Sequence, residues 1–184
     1  VPGLLLFALF NSSDIFLLLI TKETIGNNTI TLLGSTFNAD TITIAAYIFY
    51  NLVYALASYP MGILADKLGF KRVVIFGLIL FTIVYGGFAF KPAVPLIFIL
   101  FSIYGIYAAA TEGVIKAWIT NLSHNQDTAT AIGFYTSCES MSTLFASIIA
   151  GAIWTSLGSS YTFIITAVIS LVVVLYFSLI IKAK

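Results

Sequence analysis

The sequence predicts an all-α membrane protein with six transmembrane helices. Hydrophobic residues make up 60% of the 184 residues and charged residues 8%, whereas soluble domains contain about 25% charged residues. The mean hydropathy of the chain is +1.09. The few charges also separate long apolar runs, and a helix needs about 20 mostly apolar residues to cross the hydrocarbon layer of a bilayer. Most of this chain is therefore expected to be surrounded by lipid.

Six apolar runs of the required length follow one another along the chain. A polar, glycine-containing stretch at residues 22–40 separates the first two and is the only long loop that we predict. The last two are divided by the turn residues around Gly158, because the charge-free stretch from Ser140 to Ile181 is too long for one span. The predicted helices form one bundle and cover about residues 3–21, 41–65, 73–90, 93–119, 129–155 and 161–181.

Basic residues mark the cytoplasmic face of a membrane protein. Six crossings place both termini on one side, and that side collects most of the cations. Its helix ends carry Lys67, Lys71, Arg72, Lys116, Lys182 and Lys184, whereas the opposite helix ends carry Lys22 and Lys91. Both termini are therefore expected to face the cytoplasm. No charged segment precedes the first run, so we do not expect a signal peptide there, and we interpret the chain as a piece of a longer one.

The composition also argues against several kinds of chemistry. The single cysteine, Cys138, cannot form an internal disulfide or a thiolate metal site, and the single histidine, His124, leaves few possible pairs of nucleophile and base. We therefore expect no metal, no cofactor and no soluble-type hydrolase activity. The net charge is +1 and no basic run is interleaved with aromatic residues, which argues against a nucleic-acid partner.

The segment GILADKLGFKRV, residues 62–73, concentrates scarce charge between two apolar runs. Its order of residues resembles the G-x-L-A-D-R/K-x-G-R/K-R/K loop signature of the major facilitator superfamily. In that family the loop lies between the second and third helices of each six-helix half. The resemblance implies a cytoplasmic gating loop, and the matching residues are Gly62, Asp66, Lys67, Gly69, Lys71 and Arg72.

Other segments look like the C-terminal halves of bacterial members of this superfamily, which contain spans seven to twelve. They are FNSSDIFLLL, YGIYAAATEGVIKAWITNLS and TAIGFYTSCESMSTLFASIIAGAIWTSLG. The resemblance implies a half-bundle of the major facilitator fold in the plasma membrane of a prokaryote. Such a half works with an N-terminal six-helix half on the same natural chain or, as an alternative, as a dimer. The glycine–proline motif of antiporter fifth spans is absent from the sequence, which gives no support for drug–proton antiport.

Glu112 and Lys116 are four residues apart near the cytoplasmic end of the fourth span, so they are able to form an ion pair. A structural tether is the simpler interpretation, because ion pairs at a membrane surface mainly hold helix ends. The resemblance implies a second interpretation. Glu112 reaches Lys71 or Arg72, and the charged loop acts as a latch that closes in one transport state.

Polar side chains recur at helical spacing along the first, second, fourth and fifth spans, whereas the third and sixth contain no charged residue. A polar stripe within lipid is costly unless it faces protein or water, so these stripes are expected to meet at a shared interior surface. The predicted substrate and proton pathway residues are Asn11, Asp14, Tyr50, Asn51, Tyr54, Tyr104, Tyr107, Thr111, Tyr135, Cys138, Glu139 and Ser142.

Two carboxylates of this set lie deep in the membrane. Asp14 and Glu139 are about 16–18 Å from the predicted starts of their spans, near the middle of the bilayer. A carboxylate at that depth is able to bind a proton or a cationic solute, but it is also able to serve as a hydrogen-bonded structural group. Glu139 is the stronger candidate for transport because its polar stripe is longer.

The sequence therefore predicts half of a secondary transporter, and not an enzyme, that moves a small solute by alternating access, with a proton as candidate coupling ion. A six-helix channel and an intramembrane enzyme are the alternatives. A channel needs a filter loop or a re-entrant segment, neither of which the sequence indicates. An intramembrane enzyme needs a nucleophile with a basic partner at depth, and the only histidine lies outside the predicted spans.

Overall fold

The computed structural model describes residues 7–9, 11–26, 30–32, 35–124 and 126–179. Within these ranges helices dominate, and a short antiparallel hairpin occupies part of the stretch that was predicted as a loop. The elements are α1 Ile15–Ile25, β1 Ile30–Leu32, β2 Ser35–Phe37, α2 Ala39–Leu68, α3 Phe70–Ala89, α4 Val94–Leu122, α5 Thr128–Leu157 and α6 Ser159–Leu179. Helices α2 to α6 are each long and apolar enough to cross a membrane. The predicted class, an all-α polytopic membrane protein, is confirmed.

The N-cap of α2 is made by residues that are neighbours in the sequence. Asn38 precedes the helix, and its Oδ1 accepts a hydrogen bond from the backbone N–H of Thr41 at 2.9 Å. This contact satisfies one of the amides that the start of a helix leaves without a partner. At about 1.5 Å per residue, the 30 residues of α2 extend about 45 Å, more than the hydrocarbon thickness of about 30 Å. At least one end of α2 therefore reaches beyond the hydrocarbon layer, or the helix tilts.

Two of the helix junctions each consist of one glycine. Gly69 joins α2 to α3 with a φ of 92°, and Gly158 joins α5 to α6 with a φ of 102°. Side chains disfavour this left-handed region of backbone conformation, and glycine does not. The charged segment that was predicted as a turn is consequently almost all helical. Asp66 and Lys67 lie in the last turn of α2, and Arg72 lies in the first turn of α3.

α4 lies at the centre of the bundle. It packs against α2 and α3, and α3 packs in turn against α6. Large aromatic side chains fill these contacts, including Phe81 and Tyr85 of α3 and Phe101 of α4, which are almost completely buried. The outward faces of α3 and α6 carry apolar residues such as Ile83 and Leu171, as lipid contact requires.

The first span differs from the prediction of one helix over residues 3–21. Residues 7–8 are helical, residues 11–13 have no regular secondary structure, and α1 begins only after Asp14. The first span is therefore interrupted. Residues 3–6, 10, 180 and 181 of the predicted spans lie outside the described residues.

Consecutive polar residues explain the interruption. Residues 11–14 read Asn-Ser-Ser-Asp, and short polar side chains compete with the helical hydrogen bonds of their own backbone. The backbone N–H of Ser13 instead donates to Oγ of Ser147 on α5 at 3.2 Å. A contact with a neighbouring helix thus replaces a helical hydrogen bond, which the composition of the first span does not reveal.

α1 continues past residue 21 because polar residues at its end have partners on other elements. We call these interactions the α1-end contacts: Lys22–Asp40 at 2.7 Å, Lys91–Glu23 at 2.7 Å and Ser159–Glu23 at 2.9 Å. They join the end of α1 to the start of α2, to the connection between α3 and α4, and to the start of α6.

Candidate functional site

A cavity of about 190 Å³ lies between the interrupted first span, α4 and α5. Many of the predicted pathway residues line it, together with two residues that were assigned to the cytoplasmic gating group. The lining consists of Phe7, Ala8, Asn11, Asp14, Tyr104, Tyr107, Thr111, Glu112, Ile115, Lys116, Tyr135 and Glu139. The fold therefore brings together polar groups from three separate spans.

The interruption of the first span positions Asp14. This residue directly precedes α1, so its side chain projects from the junction between two helical segments. Its Oδ1 accepts a hydrogen bond from the hydroxyl of Tyr104 on α4, with an oxygen–oxygen distance of 2.6 Å. Tyr104 is 3% exposed, so the contact is shielded from competing solvent. The distance lies at the short end of the range for O–H···O hydrogen bonds, about 2.5–3.0 Å.

The same arrangement occurs at the other carboxylates of the cavity. Each of the three accepts a hydrogen bond from a tyrosine hydroxyl. With the donor first, the pairs are Tyr104–Asp14 at 2.6 Å, Tyr54–Glu112 at 2.9 Å and Tyr135–Glu139 at 3.1 Å. A hydroxyl donor stabilises a carboxylate anion, and each carboxylate has about four lone-pair sites, so acceptor capacity remains for a ligand.

An amide from the first span completes the polar wall. Asn11 donates from Nδ2 to the hydroxyl oxygen of Tyr107 at 3.2 Å. Its Oδ1 is buried and has no hydrogen-bond partner among the described residues. Thr111 donates to the carbonyl oxygen of Tyr107 at 2.9 Å, which keeps its hydroxyl on its own helix. The wall thus combines carboxylate oxygens with an amide oxygen that is still able to accept a hydrogen bond.

Aromatic rings form the apolar part of the wall. The ring centroids of Tyr104 and Tyr107 are 5.1 Å apart, and the ring of Phe81 lies 5.0 Å from that of Tyr107. Tyr50 of α2 packs behind Tyr104 with a centroid distance of 5.1 Å. Phe7 contacts Phe81 edge-on at 4.9 Å. These contacts fall in the favourable range for aromatic pairs, about 4.5–7 Å, and hold the tyrosine hydroxyls in place.

Some predicted pathway residues do not line this cavity: Tyr50, Asn51, Tyr54, Cys138 and Ser142. Tyr50 and Tyr54 act from behind the wall, through ring packing and through the hydroxyl bond to Glu112. Cys138 and Ser142 are half-buried on α5, away from the lining.

Asn51 lies outside the lining of this cavity. It is exposed on α2, and its Nδ2 donates to the backbone carbonyl oxygen of Tyr47 at 2.8 Å. The side chain therefore serves its own helix and not the cavity. The spacing of three and four residues along α2 placed Asn51 on the same broad face as Tyr50 and Tyr54. A residue at the edge of such a face does not have to contact α4.

The residues of the predicted cytoplasmic gating group divide between two places. Gly62 and Asp66 line a second cavity of about 300 Å³ between α2 and α4. Lys67 and Arg72 are exposed at the junction of α2 and α3 that Gly69 makes. Lys71 is half-buried in the first turn of α3.

The predicted ion pair between Glu112 and Lys116 is not formed. Among the described residues, the ion pairs are Lys22–Asp40 and Lys91–Glu23. Glu112 accepts a hydrogen bond from Tyr54 instead, and both members of the predicted pair face the first cavity. Counting residues along the fourth span predicted how deep Glu112 and Lys116 lie in the membrane. It did not predict the face of α4 on which they lie, which their spacing from Tyr104 would have indicated.

Sequence reasoning missed the apolar part of the lining. Phe7, Ala8 and Ile115 line the cavity, and Phe81 supports its aromatic wall from α3. The available signal was the helical spacing of Ile115 from Thr111 and Tyr107. Phe81 gave no signal because it lies in a span without charged residues.

A polar cavity inside a bundle of membrane-spanning helices is the architecture of a membrane transport protein. The sequence pattern of the Major Facilitator Superfamily matches residues 4–184, and the chain belongs to this family. It is also 39% identical over 131 residues to an uncharacterized MFS-type transporter of Methanocaldococcus jannaschii. That match covers 71% of this chain and 33% of the relative, so the chain spans about a third of the relative's length.

Proposed function

We propose that the chain is the C-terminal six-helix half of a secondary active transporter, which moves a small solute across the membrane by alternating access. The observation that carries this proposal is the cavity, in which tyrosine hydroxyls hold the half-buried Asp14 and Glu139 inside an apolar bundle and Glu112 at its exposed edge. Ionisable side chains at membrane depth are costly and usually mark the path of a solute or an ion. Family membership favours transport over catalysis.

The proposed partner is an N-terminal six-helix half on the same natural chain. The relative from Methanocaldococcus jannaschii supports it, because the matched segment is only 33% of that protein. The exposed faces of α2 and α5 also support it, since they carry Asn51, Ser137 and Ser140 among apolar residues. Polar side chains are disfavoured against lipid, so a protein partner is the better neighbour for these faces.

We further propose that both termini face the cytoplasm of a prokaryotic cell. Lys67, Lys71 and Arg72 then lie on the cytoplasmic side, as the distribution of basic residues favours. In this orientation the cavity extends from the middle of α4 towards its cytoplasmic end, where Lys116 lies. The α1-end contacts hold the helices together at the opposite surface. This arrangement supports an inward-facing state in the proposed alternating-access cycle.

A proton is the proposed coupling ion. Asp14 and Glu139 line the cavity and are able to exchange a proton with water that enters it. The exposed Lys67 and Arg72 belong to the proposed gating loop and contact the N-terminal half in one of the two states. Glu112 lies against the cavity and α2 at once, so it links the solute site to the helix that carries this loop.

Cysteine labelling tests alternating access without knowledge of the solute. Thr111→Cys is introduced into the full-length transporter in which Cys138 and other cysteines are replaced by serine. A membrane-impermeant maleimide is then applied to either side of the membrane. We expect labelling from the cytoplasmic side, and slower labelling from the outside as the minor state is visited.

The control is Ile164→Cys, an exposed position on the apolar face of α6. A thiol in lipid does not ionise, so this variant should resist labelling from both sides. Equal and simultaneous labelling of Thr111→Cys from both sides would indicate a channel. Labelling from neither side would contradict a water-filled pathway.

A further inference from the structure

We propose that the transported solute is a small organic cation, whose ammonium group binds among the carboxylates and tyrosine rings of the cavity. This inference rests on the proposed transport function and names the class of solute for the same site. Its starting point is the imbalance of charge in the cavity wall. Asp14, Glu112 and Glu139 face one ammonium group, that of Lys116.

Among the described residues of the wall, the three carboxylates have hydroxyl donors and share one cation, Lys116. The ion pairs within the described residues, Lys22–Asp40 and Lys91–Glu23, lie at the ends of α1 and include none of the three. Asp14 and Glu139 are half-buried, and Glu112 is exposed. Taking a carboxylate even partly out of water is costly, and a counter-charge offsets that cost. A cationic solute supplies that counter-charge when it enters.

Hydrogen-bonding capacity points to the same class of solute. The hydroxyls of Tyr54, Tyr104 and Tyr135 already donate to the carboxylates, so their protons are not available to a ligand. The hydroxyl of Tyr107 accepts from Asn11 and keeps its own proton. The Oδ1 of Asn11 is a buried acceptor without a partner among the described residues. The wall therefore offers mainly acceptors. An alkylammonium group is attracted to acceptor oxygens by its charge, with or without N–H groups. A sugar or an anion would need donors, and among the described residues of this wall these are Lys116 and the hydroxyl of Tyr107.

The aromatic rings add a second preference for cations. Tyr104, Tyr107, Tyr135 and Phe7 all line the cavity, and the face of an aromatic ring attracts a cation. The same rings accept the alkyl part of an organic ion, which a hydrated metal ion would not use. Carboxylates and rings in one wall thus favour an alkylammonium group over an inorganic cation.

The size of the cavity restricts the solute. This half contributes about 190 Å³, below the range of about 300–1,000 Å³ for complete ligand pockets. An opposing half would add the remainder, as in the proposed architecture. A solute of few heavy atoms is therefore the better match than a large polycyclic cation.

Calorimetric binding to the purified full-length transporter tests the inference with three probes of nearly equal shape. Choline is the cation, 3,3-dimethylbutan-1-ol is its neutral analogue, and 3,3-dimethylbutanoate is the anion. We expect choline to bind with a Kd at least about tenfold lower than the alcohol, and the anion not to bind. Equal binding of choline and the alcohol, or tighter binding of the anion, would overturn the inference.

Variants locate the binding site. Asp14→Asn and Glu139→Gln should each raise the Kd for choline about fivefold or more, whereas Lys116→Met should lower it because it removes the competing cation. Opposite directions cannot arise from general damage to the fold. Asp127→Asn is the matched control, since it removes a carboxylate that is exposed outside the cavity. If Asp127→Asn weakens choline binding as much as the cavity variants, the binding is not at this site.

The two proposals fail separately. If Thr111→Cys is labelled as expected but choline does not bind selectively, the transport proposal stands and only the proposed class of solute is overturned. Loss of that labelling would overturn the transport proposal itself.

Discussion

At the scale of single residues, pairs of tyrosine and carboxylate organise the cavity. Tyr104 shows this best, because it is almost fully buried and donates to Asp14 at 2.6 Å. A hydrogen bond contributes about 0.5–3 kcal/mol, depending on the charge of its partners, so the hydroxyl stabilises the bundle as well as orienting the carboxyl group. The interrupted first span depends on such contacts, since residues 11–13 lack helical structure of their own.

Tyr104→Phe removes one oxygen atom and keeps the ring. We expect the free energy of unfolding to fall by about 1–3 kcal/mol, because Asp14 loses its short hydrogen bond from this hydroxyl. The thermal midpoint in detergent, followed by tryptophan fluorescence, measures this loss. Tyr161→Phe is the control at an exposed tyrosine on α6, where we expect a change within about 0.5 kcal/mol. Equal midpoints for the two variants would show that the hydroxyl of Tyr104 has no structural role.

At the scale of helices, the close approach of α4 to α2 sets the position of the cavity wall. Gly105 of α4 makes it possible. A Cβ atom at this position would lie 2.9 Å from the carbonyl oxygen of Tyr50 and 3.0 Å from the backbone nitrogen of Tyr54. Backbone atoms cannot move aside as a flexible side chain can, so any larger residue would push the two helices apart. Small residues allow this kind of contact between membrane helices in general.

Gly105→Ala and Gly113→Ala form a matched pair on α4. The first should destabilise the bundle by about 1–3 kcal/mol, as overpacking usually does. A Cβ at Gly113 meets no atom within 4 Å, so the second should be neutral or stabilise the helix by up to about 1 kcal/mol. Thermal unfolding of both variants measures the difference. A loss of stability at Gly113 as large as at Gly105 would contradict packing as the cause.

At the scale of the whole molecule, the α1-end contacts tie several helices at the surface opposite the charged segment. Partial burial raises the pKa of Glu23, but the hydrogen bonds from Lys91 and Ser159 and the charge of Lys91 outweigh it, so the pKa lies below its ordinary value. A carboxylate with a lowered pKa in the folded state stabilises that state above its ordinary pKa of 4.5, and the contribution is lost as the pH falls through the lower value. Lowering the pH through the pKa of Glu23 should therefore weaken the α1-end contacts.

Glu23→Gln should loosen the same surface at neutral pH, because it removes the charge and keeps the acceptor for Ser159. When Glu23→Gln is combined with Thr111→Cys, we expect the maleimide to label the new thiol faster from the outside, as the proposed cycle requires. The side chains of Glu23 and Lys91 are 39% and 44% exposed, so the effect is small, within about 1 kcal/mol or fivefold in rate. Asp127→Asn serves as a control for charge alone. An unchanged rate in Glu23→Gln would indicate that other contacts hold this surface closed.

The first sequence prediction to fail shows why tertiary information was needed. Residues 3–21 contain enough apolar side chains for one span, yet the helix is interrupted at residues 11–13. The sequence showed the polar cluster there, but the partner that makes the break favourable, Ser147, lies on α5. The same limit applies to Asn51, which shares the helical spacing of Tyr50 and Tyr54 but is exposed and does not line the cavity.

The sequence alone determined the membrane class, the family and the charged segment around Gly69, because hydropathy, charge and glycine act locally along the chain. It also contained the pair of Tyr135 and Glu139, which are four residues apart on one helix. Only the tertiary structure decided that Tyr104 meets Asp14 and Tyr54 meets Glu112, since these residues are 90 and 58 positions apart. Contacts between helices depend on how their surfaces pack, and packing depends on the shapes of all the neighbours at once.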